Sequence, residues 1–234
     1  CLIVPSSSSV YDFESLASSV RKTNPRIKCF VVGKSTRNKS VSELRGEPLK
    51  ITRPDQNSTL FLLPSGGTTG LPKLIPRSNF SYVYNFSKAA SQSGFTRETK
   101  YLAVLSICHN LPLACPGVLG ALENGGTVIL AETVSPDEAF PLISATGVTT
   151  VTVVPSVINL WIDALNWYPI DHSSLRSIHV GGARFSANEA KRASSAFSCS
   201  IQQSYGMTEG ILTLTKFEAS EETSFATQGS PLSE

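Results

Sequence analysis

A chain of 234 residues, 41% of them hydrophobic, can bury a sizeable core as one large domain or two small ones. Its net charge of +2 arises from interspersed acidic and basic residues, with no dense basic run carrying aromatics, which argues against nucleic-acid binding. No apolar stretch is long enough to span a membrane, and Leu2–Val4 lacks the length and basic flank of a signal peptide.

Leu2–Val4 reads as the end of a strand. Phe13, Leu16 and Val20 recur at helical spacing and predict a helix over Tyr11–Arg21. Ile27–Val32 is a β-branched strand, and residues 33–58, broken by Gly46, Pro48 and Pro54, read as a long loop. Thr59–Leu63 is an apolar run read as a buried strand, followed by the hydroxyl- and glycine-rich stretch 64–73. Lys73–Pro76 is short and extended, and Ser78 caps a helix to about Gln92. Tyr101–Ile107 is a strand running into Cys108-His109-Asn110. Leu113–Leu122 reads as a helix despite Pro116, and Thr127–Leu130 as a strand. Ser135 with Pro136, Asp137 and Glu138 starts the next helix. Val148–Val154 is a strand, and Pro155 opens a helix to about Trp167. Leu175–Val180 is a strand ending in Gly181-Gly182-Ala183, and the capping box Ser186–Glu189 starts a helix to Phe197. Strand Ser200–Ser204 leads into Tyr205–Gly210, and a last strand covers Ile211–Thr215.

Strand and helix alternate throughout, which predicts an α/β fold of parallel-sheet layers with flanking helices. Parallel sheets bind ligands at the carboxyl ends of their strands. The loops 64–73, 108–110, 181–183 and 205–210 are all expected there, around one site. The five cysteines are odd in number and match no zinc spacing, so they read as reduced thiols of a cytoplasmic protein. Both chain ends read as cuts in a longer protein.

The loop Ser65-Gly66-Gly67-Thr68-Thr69-Gly70-Leu71-Pro72-Lys73 reads either as a flexible surface turn or as an anion site, where backbone N–H groups and threonine hydroxyls can surround an anion, with Lys73 as a point charge. The spacing is not that of a Walker A loop. Glu209 reads either as a ligand for Mg²⁺ beside such a phosphate loop or as a solvated surface carboxylate. Tyr205 reads as a flat face for a base or as a half-buried core aromatic. Gly181-Gly182-Ala183 admits a flat ring close to the backbone, or is simply a tight turn. His109 can steer an anion or move a proton, whereas His172 and His179 read as structural. Asn110 can read a hydroxyl or a carboxylate. Cys115 is a pocket residue or a small buried hydrophobe.

Taken together, these residues resemble the acyl-adenylate-forming enzymes. Ser65–Lys73 is similar to their phosphate loop, and Tyr205-Gly206-Met207-Thr208-Glu209 to their adenine and magnesium motif. His109–Gly117, Val180–Ser186 and Gln202–Gly210 resemble the stand-alone aryl-acid ligases of siderophore synthesis, which activate salicylate or 2,3-dihydroxybenzoate and load it onto an aryl carrier protein. The resemblance runs from about Leu60 to Pro231. It implies the large N-terminal domain of such an enzyme, with about 1–97 forming part of a first subdomain with the phosphate loop. About 98–234 would then form a second subdomain with the aryl-acid and adenine motifs, and the C-terminal lid is expected to lie outside this chain.

The resemblance implies that Ser65, Gly66, Gly67, Thr68, Thr69, Gly70 and Lys73 hold the phosphates of ATP. Gly181, Gly182 and Ala183 border the adenine with Gly206, Met207 and Thr208, and Tyr205 stacks on it. Glu209 binds Mg²⁺, and His109, Glu209 and Thr68 act at the reacting groups. Asn110, Leu111, Cys115, Gly181 and Leu212 line the aryl pocket. Cys115 with Leu212 is the pair typical of salicylate enzymes, since a thiol is a weak partner for a second hydroxyl. Leu111 departs from the aromatic residue usual at its position. The implied activity is ATP-dependent formation of an aryl-adenylate for a phosphopantetheine-bearing carrier protein. An aryl-CoA ligase, or a non-catalytic nucleotide- or aryl-acid-binding fragment, is the alternative, and the chain by itself is expected to bind ligand with little turnover.

Overall fold

The computed structural model describes residues 1–6, 11–47, 52–65 and 73–232, which form two compact units, Cys1–Arg53 and Pro54–Glu234. In the first unit, strands β1 (Leu2–Pro5), β2 (Cys29–Val32) and β3 (Lys39–Ser40) make a parallel sheet. Helix α1 (Phe13–Thr23) is capped by Asp12, whose carboxylate accepts from the Ser15 amide at 3.0 Å. Its core-facing stripe runs through Phe13 and Ala17, and Leu16 is exposed, contrary to the sequence expectation. The small Ala17 lets the helix sit close against Val4 and Val31. The Glu14 carboxylate accepts from Ser35 Oγ at 2.7 Å and Asn38 Nδ2 at 2.9 Å, bonds that hold it below the usual carboxylate range.

The second unit opens with β4 (Thr59–Pro64) and β5 (Leu74–Ser78), which pair antiparallel as a two-stranded hairpin. Here the expectation of a buried strand fails. Leu63 is buried, but Leu60 and Leu62 are exposed, because a two-stranded ribbon covers one face and turns alternate side chains outward. Ser78 then caps α2 (Asn79–Gln92) by accepting from the Ser81 amide.

Five strands run parallel: β6 (Lys100–Ala103), β7 (Thr127–Leu130), β8 (Thr150–Val153), β9 (Ser177–Val180) and β10 (Ser200–Gly206). Strands β11 (Leu212–Leu214) and β12 (Ser230–Pro231) add antiparallel at one edge, giving the order β12-β11-β10-β9-β8-β6-β7. Helices α3 (Asn110–Ala114), α4 (Gly117–Glu123), α5 (Pro136–Thr146), α6 (Pro155–Ala164), α7 (Ala187–Phe197) and α8 (Glu221–Ala226) complete the unit. On one face Phe140, Ile143, Ile158, Trp161 and Phe197 of α5, α6 and α7 pack on Leu102, Val151, Ile178 and Ile201. On the other, Ala90 and Ala121 of α2 and α4 meet Phe95, Tyr101 and Ala103. Alternation along each strand assigns the two faces.

The helix expected over Leu113–Leu122 is two helices, α3 and α4, parted at Cys115-Pro116. Pro116 has no N–H to continue the ladder, and Gly117 turns left-handed at φ +52°. The compact units part at Arg53/Pro54, and within the second unit α2 packs on α3 and α4 through Tyr82, Ala114, Ala90 and Ala121. The α/β architecture and its parallel sheet agree with the sequence reading. No helix among the described residues is long and apolar enough to cross a membrane.

Candidate functional site

Chain segments beyond the carboxyl ends of β6, β8, β9 and β10 converge on a cavity of ≈ 540 Å³. Its walls include Leu105, Ser106, His109, Asn110, Leu111, Pro112, Cys115, Val154, Gly182, Ser204, Gly206, Met207, Thr208 and Leu212. A second cavity of ≈ 620 Å³ lies near the amino ends of β9 and β10, against Arg176, Ser198 and Ser200, and holds none of the motif residues. Ligands of open α/β sheets bind at the carboxyl ends, so the first is the candidate site.

Behind the cavity wall at Asn110 and Cys115 runs a chain of neutral hydrogen bonds. Tyr82 of α2 is fully buried, and its hydroxyl donates to Asn110 Oδ1 at 2.9 Å. Asn110 Nδ2 donates to Cys115 Sγ at 3.4 Å. Asn85 Nδ2 lies 3.8 Å from the same sulfur and 3.3 Å from the Ala114 carbonyl. Burial pushes the Cys115 thiol up to about 12 and the Tyr82 hydroxyl up to about 12, so both stay protonated at neutral pH. The amide of Asn110 is thereby oriented from both ends, with a further N–H and a further lone pair left for a ligand.

Of the four loops expected at strand ends, 108–110, 181–183 and 205–210 are there. The loop 64–73 instead joins the two strands of the β4–β5 hairpin, and the Ser65 amide donates to the Lys73 carbonyl at 2.8 Å. Gly66, Gly67, Thr68, Thr69 and Gly70 lie outside the described residues. Lys73 is exposed beside Ser65 at the hairpin end.

These motifs belong to one sequence pattern: the chain matches the model of the AMP-binding enzyme family over residues 2–234. The chain belongs to that family. It is 40% identical to the 2,3-dihydroxybenzoate-AMP ligase of Bacillus subtilis, over 99% of this chain and 43% of the relative. It is 36% identical to the salicyl-AMP ligase/salicyl-S-ArCP synthetase of Mycobacterium tuberculosis, over 99% of this chain and 42% of that protein. The apo structure of Mycobacterium smegmatis MbtA superposes with a TM-score of 0.88 at 36% identity, covering 100% of this chain and 43% of that one. The chain thus spans less than half the length of these relatives.

Within this AMP-binding fold, His109 starts α3 and lines the cavity with an exposed side chain. Leu111 packs on the glycine turn: a Cβ on Gly181 would stand 3.2 Å from Leu111 Cδ1 and would run into Ser204 Oγ. Gly181 is therefore required by packing, and Gly182, at φ +83°, by its turn. Ala183 is exposed beside them. Gly206, Met207 and Thr208 line the cavity, while Tyr205, in β10, is 53% exposed and pairs with Thr213. Leu212 is buried in a cluster with Cys115.

Glu209 is exposed one residue past the wall, and no ion pair among the described residues includes it. No group of three His, Cys, Asp or Glu capable of caging a metal occurs among the described residues. A lone carboxylate fits Mg²⁺, which is commonly held by one or two carboxylates plus substrate phosphates. Tyr82, Asn85 and Arg77 are absent from the sequence reading of the site. Arg77 is buried on β5, and its Nη1 donates to the Thr208 carbonyl at 3.0 Å.

Proposed function

We propose that the full-length protein adenylates an aryl acid, salicylate before 2,3-dihydroxybenzoate, and passes the acyl group to an aryl carrier protein. The observation that carries this reading is the Tyr82–Asn110–Cys115 chain. It offers an ortho-hydroxyl one well-oriented amide, and offers a second hydroxyl only a neutral, already hydrogen-bonded thiol. The aryl-acid ligases at 40% and 36% identity support the substrate class.

In this reading a carboxylate oxygen of the acid attacks the α-phosphorus of ATP. The bond from that phosphorus to the bridging oxygen breaks, and pyrophosphate leaves. The carrier thiol then attacks the acyl carbon, its proton goes to solvent or base, and AMP leaves. Asn110 and Leu111 orient the ring, His109 stands where the carboxylate enters, and Ser65 and Lys73 face the phosphates. Glu209 would hold Mg²⁺, which supplies charge neutralisation at the phosphates. Positioning and preorganised donors do most of the work.

The test is calorimetric titration with non-hydrolysable salicyl- and 2,3-dihydroxybenzoyl-adenylate mimics, on the protein and on Cys115→Ser. A buried hydroxyl without a good partner predicts about tenfold tighter binding of the salicyl mimic, with the gap closing in the variant. Equal binding by both proteins would keep the adenylate pocket and discard salicylate. Acyl transfer to coenzyme A in place of a carrier protein would discard the acceptor.

A further inference from the structure

We propose that Arg77 is a positioning residue, a cationic clamp that fixes the Met207–Gly210 turn after β10, and with it Glu209, against the hairpin carrying Ser65 and Lys73. Its catalytic consequence rests on the adenylation reading above; its structural content does not.

Arg77 is 3% exposed and shares its hairpin face with buried Leu63 and with Phe61, which is 36% exposed. No ion pair among the described residues includes it. A buried guanidinium without a carboxylate is costly unless its donors are used, and packing alone would favour an apolar residue there. The donors are used. Nε lies 3.4 Å from Ser81 Oγ and Nη2 3.5 Å from the Ser81 carbonyl. The contact that crosses the fold is Nη1 to the Thr208 carbonyl at 3.0 Å, the residue directly before Glu209. The guanidinium also lies over the Tyr82 ring, 5.3 Å from its centroid.

The loop is shaped to this arginine. Gly210 sits at φ +127°, and a Cβ there would stand 3.2 Å from Nη2. Only the planar fork of arginine can reach the Ser81 and Thr208 carbonyls together while stacking on an aromatic face. A lysine would keep the charge and one donor at a time, and a methionine neither.

The test is made on the full-length protein with Arg77→Met and Arg77→Lys, by hydrogen–deuterium exchange and by ATP–pyrophosphate exchange over a Mg²⁺ titration. The reporting amides are Met207, bonded to the Ile211 carbonyl at 2.9 Å, and Gly210, bonded to the Met207 carbonyl at 3.0 Å. In Arg77→Met these exchange roughly tenfold faster, the scale of one lost bond from a charged donor, with β8 and β9 unchanged and Arg77→Lys between. The Mg²⁺ concentration for half-maximal turnover rises by a similar factor, while KM for the aryl acid moves less than about threefold. Unchanged exchange at Met207 and Gly210 overturns the clamp. So does faster exchange spread over β8 and β9 with an unmoved Mg²⁺ requirement, which marks a merely structural arginine. If Arg77→Met does not fold, Arg77→Lys decides by the same readouts. If the wild-type protein turns over no aryl acid, the functional reading falls, and the exchange rates alone decide the clamp.

Discussion

Tyr82 has a full apolar burial and one polar duty. Its ring lies 5.0 Å from Phe61 and under the Arg77 guanidinium, and its hydroxyl donates to Asn110. Tyr82→Phe keeps the ring and frees the Asn110 amide to turn. The expected loss in aryl-acid affinity is about 1 kcal/mol, or roughly fivefold, with nucleotide affinity unchanged. Titration of the variant with the aryl acid and with ATP separately measures both. Asn110 and Cys115 are legible from sequence because they sit five residues apart in one motif. Tyr82 and Arg77 are not, because their partners lie 28 and 131 residues away and only the fold brings them together. Glu209 and Tyr205 were legible as motif residues; the exposure of Glu209 fits the solvated carboxylate that its position also allowed, whereas that of Tyr205 was not legible.

Where the chain stops and starts its helices, local chemistry decides. Ser78 and Ser186 cap as their spacing announces, the latter in a complete capping box with Glu189. Ser135 precedes its helix without a side-chain cap, and Glu138 instead turns back to the Thr133 amide at 2.9 Å. The break between α3 and α4 was hidden in the sequence because hydrophobic periodicity runs on through Pro116. It has a sharp test in Gly117. A methyl there would land on the Pro112 carbonyl and occupy a left-handed backbone at φ +52°. Gly117→Ala is expected to cost more than about 2 kcal/mol and to disturb Cys115 two residues away. Urea unfolding together with salicyl-mimic binding reports both effects. The hairpin escaped the sequence reading for a related reason: an apolar run does not reveal how many of its faces are covered.

The central sheet has one apolar face and one face that carries a buried polar strip of Thr150, Thr152, Ser177, His179 and Gln202. The α/β layering was legible because alternation of elements is a long-range pattern. The strip was not, because buried polar side chains imitate surface ones in a sequence. His179, read as structural, is fully buried against Phe95, and desolvation lowers its pKa from 6.5 to about 4. The unfolded chain therefore binds the proton first as pH falls. The stability that neutral His179 contributes is complete above about 6.5 and is lost between there and about 4, on the order of 3 kcal/mol. His179→Leu should lack that loss, and urea midpoints at pH 7.5 and 4.5 for both proteins give the difference. The cavity follows the opposite logic to a charged site. Tyr82, Asn110 and Cys115 are all neutral, and the one cation against them, Arg77, is buried, so counterions have little there to screen. If the protein binds an aryl-adenylate as proposed, ionic strength acts on the phosphate end and leaves the aromatic end untouched: one ligand, held by two forces that the surrounding salt can tell apart.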